Sequence, residues 1–224
     1  MGKRLNNAKK EVDVNKLYTP AEALALAKKT ATTKFTGNIE VHVRLGIDPK
    51  KSDQTVRTTV SLPHGTGKTK RIAAFVSQAK EKEATDAGAV VVGGEDLIKK
   101  IKETEQLNFD MAIAEPSMMP KLAQIAKLLG PRGLMPNPKS GTVSADIGKT
   151  VKEFVSGKAE FKNDESGNVH MILGKSNFAD DQLLANFKTF MEALHSSKPA
   201  GLKKEFVQSV AVNATMGPGI KVKS

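Results

Sequence analysis

Cysteine is absent from the 224 residues, which excludes disulfides, Cys-ligated zinc or iron–sulfur clusters and Cys nucleophiles. Histidine is scarce. His42, His64, His170 and His195 lie far apart in sequence, so a His-based metal site is not expected. Tryptophan is also absent, tyrosine occurs once (Tyr18), and aromatics make up 4% of the chain. A groove that stacks single-stranded nucleic acid needs several exposed aromatics, and the aromatic-rich RNP1 pattern is missing. No apolar run approaches the roughly 18 residues of a membrane span. The start, Met1 to Asn6, lacks the apolar core of a signal peptide, and Asn6 stands where the myristoylation pattern wants Ser or Thr. A cytoplasmic, soluble chain of one large or two small domains is the expectation.

What the chain does have is positive charge: 35 Lys+Arg against 24 Asp+Glu, a net +11. That balance suggests a polyanionic partner, with a merely basic surface as the plainer reading. With so few aromatics, folded RNA read through backbone and shape fits better than an unstructured strand.

The first 18 residues are polar and basic and read as a loose arm. Thr19-Pro20-Ala21-Glu22 then has three marks of a helix start: a capping Thr, Pro at the first helical position, and Glu completing a capping box. Ile39, Val41, Val43 and Leu45 alternate with Glu40, His42 and Arg44, a half-buried strand with one polar face. A charged turn over 48–54 leads to a second strand over 55–62.

The pattern changes after Pro63-His64-Gly65-Thr66-Gly67. Strands over 71–76, 89–92 (read as buried) and 109–114 alternate with helices over 77–87, 95–104 and 117–129, which implies right-handed βαβ units and a parallel sheet. Near residue 158 the pattern reverts. Strands over 159–162 and 169–173 flank a hairpin turn, Asp180 caps a long helix ended by Lys198-Pro199-Ala200-Gly201, and strands over 206–212 and 220–222 follow.

The ends are thus α+β and the middle α/β. Neither end makes a good core alone, so the simplest fold is discontinuous. Residues 1–67 and 159–224 build one α+β domain, and 68–158 form an inserted α/β domain reached by a two-stranded hinge. The end-built domain holds 20 basic and 13 acidic residues, net +7, and the insert 15 and 11, net +4.

Catalytic motifs are wanting. Gly65-Thr66-Gly67-Lys68-Thr69 has the tail of a P-loop, but Leu62 stands where its first Gly belongs, and a Gly-rich hinge explains it better. Glu95 and Asp96 follow Gly93-Gly94 in the first turn of a helix, where they repel a phosphate and complement the helix dipole. No nucleophile–base pairing stands out. The oddest stretch is Gly130–Val143, with three Pro and three Gly; it reads equally as a functional loop or as a rigid one packed by Leu134 and Met135.

Within and beside that stretch, Lys127-Leu128-Leu129-Gly130-Pro131-Arg132-Gly133-Leu134-Met135-Pro136-Asn137-Pro138-Lys139 closely resembles the signature of the large-subunit ribosomal protein one family, of bacterial type. The resemblance runs along nearly the whole chain, through Leu45-Gly46-Ile47-Asp48-Pro49, Ser61-Leu62-Pro63-His64-Gly65, Gly93-Gly94-Glu95, Phe161-Lys162-Asn163-Asp164 and Thr215-Met216-Gly217-Pro218. It implies the same architecture: a split β-α-β domain from both ends with an inserted Rossmann-like domain. It implies a structural protein of the mobile stalk of the large ribosomal subunit, without catalytic residues, metal or cofactor. The implied partners are a folded region of 23S rRNA, deacylated tRNA leaving the exit site, and the protein's own mRNA, whose translation it would repress.

The resemblance places RNA-binding residues at Lys34, Phe35, Thr36, Glu40, His42, His170, Lys175, Ser209, Thr215, Met216 and Gly217. Thr and Ser hydroxyls can meet 2′-OH and phosphate groups, Met216 can pack on a sugar or base, and a glycine at 217 admits close backbone approach. The side chains of Thr215 and Met216 are expected to face solvent. Phe35 reads alternatively as a core residue and His170 as a pleat-facing residue of the hairpin. Lys50, Lys51 and Arg57 could face tRNA or be simply solvated. Two other classes stay open: a nucleotide-dependent enzyme using the α/β insert, and a protein-only scaffold.

Overall fold

The computed structural model describes residues 2–51, 53–199, 201–202 and 204–223. Ser52 of the charged turn and Ala200 after the long helix lie outside the described residues. In chain order come α1 (Lys3–Lys10), α2 (Pro20–Lys29), β1 (Asn38–Leu45), β2 (Arg57–Ser61), β3 (Ile72–Phe75), α3 (Glu81–Asp86), β4 (Val91–Gly93), α4 (Glu95–Thr104) and β5 (Met111–Ala114). Then follow α5 (Met119–Leu122), α6 (Ala126–Leu129), α7 (Ile147–Ser156), β6 (Lys158–Lys162), β7 (Asn168–Lys175), α8 (Asp180–Ser196), β8 (Val207–Ala214) and β9 (Ile220–Val222). The fold is mixed α/β, and the chain forms two compact units, Met1–Gly67 with Ala159–Ser224, and Lys68–Lys158.

The first unit is built on a four-stranded antiparallel sheet of order β7-β1-β8-β9. Period two puts Ile39, Val41 and Val43 of β1, with Val169, Met171 and Leu173 of β7 and Val210 and Val212 of β8, on one buried face. Helices α2 and α8 cover that face. Leu183, Phe187, Phe190 and Leu194 recur at helical spacing along α8 and are all buried. Phe190 meets Phe161 edge to face at 5.2 Å, a pairing worth about 0.5–1.5 kcal/mol beyond its burial. The start of α2 follows its sequence: Glu22 N donates to Thr19 Oγ1, and Thr19 N donates back to Glu22 Oε2 at 3.0 Å. The Glu22 carboxylate, accepting from Thr19 N and at 2.9 Å from Thr19 Oγ1, is held below its ordinary value.

The second unit has three parallel strands in the order β4-β3-β5. Strand β3 is wholly buried because it lies between the other two, with helices on both faces. Ala73 and Phe75 point to the α4–α5–α6 side, whereas Ile72 and Ala74 point to the α3–α7 side. The loop over 130–143 is an ordered part of this unit. Leu134 and Met135 pack on its core, Ser140 and Thr142 are buried and share a 3.0 Å hydrogen bond, and Val143 bridges to Ala114.

Several expectations need correction. The basic arm contains a helix, α1, seated by buried Ala8, with Val12 just beyond it in the core. The helix over 117–129 is a string of short α and 3-10 turns, with Pro120 in the first turn of α5, and that over 77–87 is divided into a 3-10 turn, Gln78–Lys80, and α3. Strand β4 is an edge strand of half-buried residues, preceded by Val90 at 63% exposure, so 89–92 is not a buried strand. Residues 163–168 do turn tightly, but β6 and β7 form no extended hairpin: β6 pairs with β2 and β7 with β1. The residue preceding α8 is Ala179, whose N–H is accepted by Gln182, so Asp180 is the first helical residue and not the cap.

Candidate nucleic-acid interface

The sheet of the first unit has a second face that neither α2 nor α8 covers. The alternation that buries Val41 and Val43 turns Glu40, His42 and Arg44 the other way, with Asn168 and His170 on β7 and Ser209, Ala211 and Asn213 on β8. His42 faces His170 directly across the strand pair. Their Nδ1 atoms are 2.7 Å apart, so one carries the hydrogen that the other accepts. On its far side His42 Nε2 lies 2.7 Å from Asn213 Oδ1, and His170 Nε2 lies 3.3 Å from Asp164 Oδ2.

Asp164 in turn organises the 163–168 turn. Its Oδ1 accepts from the backbone N–H groups of Asn168 and Ser166. These donors, led by Asn168 and joined by His170, draw its carboxyl down to about 2. The face is therefore laced by a polar chain from Asp164 to Asn213 in which both ring orientations are set.

At one end of β1 three loops converge. Asn38 pairs across the sheet with Lys175, Ser176 N donates to Gly37 O, and Thr215 N donates to Asn38 O at 2.8 Å. Thr215 Oγ1 accepts from Asn38 N at 2.9 Å and lies 3.2 Å from both Asn38 O and Glu40 Oε1. The result gathers Lys34, Phe35, Thr36, Lys175, Thr215, Met216 and Gly217 around one edge of the open face. Phe35 and Met216, 58% and 65% exposed, offer apolar surface there.

Each sequence-derived candidate can now be placed. Phe35 is no core residue, because the chain between α2 and β1 carries it outward. Glu40, His42 and His170 share the open face, and Lys175 sits at its edge. Ser209 is exposed opposite Arg44, toward the other end of β1. Lys50 and Lys51 are exposed in the turn after that end. Arg57 lies in the separate β2–β6 sheet, where it is paired with Glu160 rather than simply solvated.

Thr215 does not present a free hydroxyl, because that group ties the turn to β1. Gly217 is required first by its own turn: its N–H donates to Ala214 O at 2.7 Å, and a Cβ there would lie 3.0 Å from that oxygen. Sequence reasoning missed Asn213, Asp164 and Arg4 as parts of this region. Asn213 continues the polar alternation of β8, and Asp164 stands in the expected turn and in the matched stretch 161–164, which were the available signals; Arg4 had none.

Among the described residues no nucleotide site emerges in the second unit. Open parallel sheets bind nucleotides beyond the carboxyl ends of their strands. There the carboxylate of Glu115 accepts from Ser77 N at 3.2 Å and from Lys80 Nζ at 3.1 Å, so the chain's own anion takes the backbone donor that a phosphate would use. Among the described residues no cluster of His, Asp or Glu is suited to a metal ion.

The chain is 48% identical over 223 residues to the large ribosomal subunit protein uL1 of Chloroflexus aurantiacus, covering 99% of this chain and 94% of that one. It is 49% identical over 220 residues to the protein of the same name from Thermosipho africanus, covering 98% and 95%. A mixed α/β fold with an open polar sheet face, on a chain so closely related to these, defines a structural, RNA-binding protein of the large ribosomal subunit and not an enzyme. Residues 27–218 match the profile of the ribosomal protein L1p/L10e family, and the chain belongs to that family.

Proposed function

We propose that the unit formed by residues 1–67 and 159–224 is the rRNA-binding domain, and that residues 68–158 are an inserted Rossmann-like domain. In this reading Lys34, Phe35, Thr36, Glu40, His42, His170, Lys175, Ser209, Thr215, Met216 and Gly217 meet a folded region of 23S rRNA. The observation that carries it is the convergence of exposed Phe35 and Met216 with Lys34 and Lys175 at the edge of a polar sheet face. Lysine supplies phosphate contacts, the two apolar side chains pack on sugar or base, and the exposed hydroxyls of Thr36 and Ser209 reach 2′-OH groups.

The sequence resemblance further supports a place in the mobile stalk, where the protein assists release of deacylated tRNA from the exit site, with Lys50, Lys51 and Arg57 as candidate contacts. It also supports repression of the protein's own mRNA through a structure like the rRNA site. Crosslinking in cells tests the central reading. One rRNA helical region should dominate, joined to peptides containing 34–42, 170–175 and 209–217. Dispersed RNA, or crosslinks confined to 68–158, would overturn it.

A further inference from the structure

The N-terminal helix brings one side chain to the proposed interface from 212 residues away. Arg4 Nη2 donates to the carbonyl oxygen of Met216 at 2.9 Å, and Arg4 Nη1 donates to Thr32 Oγ1 at 3.3 Å. Thr32 opens the loop that carries Phe35, and Thr33 Oγ1 in that loop donates to Phe35 O at 2.8 Å. One guanidinium therefore links the two loops that expose Phe35 and Met216.

Met216 needs such a restraint. Its φ is +62°, one of two positive values among the described non-glycine residues, and its side chain is 65% exposed, so its own packing does little to hold it. Helix α1 is itself anchored. Ala8 is buried, Val12 enters the core beyond the helix, and Glu11 pairs with Lys29 of α2 at 3.2 Å.

We propose that Arg4 is a positioning residue of the RNA interface, fixing the Met216 turn against the Phe35 loop before RNA arrives. The proposal rests on the reading that this edge of the sheet meets RNA. Its logic is preorganisation: two apolar side chains already held in register lose less freedom on binding. The planar fork of arginine can serve two acceptors on different loops at once. A lysine ammonium keeps the charge, but as a point charge on a flexible stem it does not reproduce that fork.

The test compares wild type with Arg4→Ala and Arg4→Lys in the full chain, at a temperature where circular dichroism shows all three folded. NMR order parameters of the Met216 methyl group and the Gly217 amide are measured without RNA, and affinity for a 23S rRNA fragment is measured alongside. Both variants should lose order at these sites, and both should bind about tenfold more weakly. Arg4→Lys should keep the wild-type salt slope. Wild-type affinity and order in Arg4→Lys would show that charge alone matters and overturn the proposal. Weaker binding with unchanged order would overturn it as well. If wild type fails to bind the fragment, the RNA reading falls, and the order parameters alone decide the Arg4 link.

Discussion

Removing the Thr215 hydroxyl tests how the edge of the open face is held. Thr215→Val keeps the β-branch and nearly the volume but deletes Oγ1. Asn38 N then loses its acceptor, 2.9 Å away in a partly buried site, and the hydroxyl hydrogen no longer reaches Asn38 O or Glu40 Oε1. The bond from Thr215 N to Asn38 O remains. A donor left without a partner in such a place costs about 1–3 kcal/mol, and partial solvent access puts the cost at the lower half, about 1–2 kcal/mol. On a unit of this size that lowers the melting temperature by about 3–8 °C. Thr215→Ser restores the hydroxyl and should fall within about 0.5 kcal/mol of wild type. Calorimetry on the three proteins, with RNA affinity measured well below their transitions, separates stability from binding. A Thr215→Val protein that melts with wild type would refute the reasoning, because the hydroxyl would then contribute nothing to the turn.

Three further outcomes are expected. The RNA complex should weaken with salt; for about four to six phosphates contacted, log K against log salt should slope at roughly −3 to −5, and a flat response would remove charge as a driving force. Asp110, paired with Arg71, and Asp164 both have carboxyl groups drawn down to about 2 in the folded chain. Depressed carboxyl values stabilise the fold above the ordinary carboxylate range, and that contribution is lost as pH falls through the folded value. Wild type should therefore lose stability between about pH 4 and pH 2, and Asp110→Asn with Asp164→Asn should show a shallower loss over that window in acid-unfolding curves. Finally, residues 1–67 joined to 159–224 by a short Gly-Ser linker should fold and bind the rRNA fragment; a cooperative thermal transition with no RNA affinity would separate the folding unit from the proposed interface.

Some of this protein could be read without its structure, because the signals are local. The Thr19–Glu22 capping box starts α2 through contacts three residues apart, and the strict alternation over 39–45 assigns one face of β1 to the core and the other to Glu40, His42 and Arg44. The stretch 127–139, with further matches along nearly the whole chain, carries the family likeness. What tertiary structure alone decided involves partners distant in sequence. His42 meets His170 across 128 residues and Arg4 meets Met216 across 212, and no local propensity encodes which strands pair or in what register. The same limit explains the hairpin expected over 159–173. Its turn residues are right, but β6 pairs with the distant β2 and presents Phe161 to Phe190, while β7 pairs with β1. Thr215 shows the point at one residue: the family resemblance offered a hydroxyl for RNA, and the fold uses it to fasten the turn to β1.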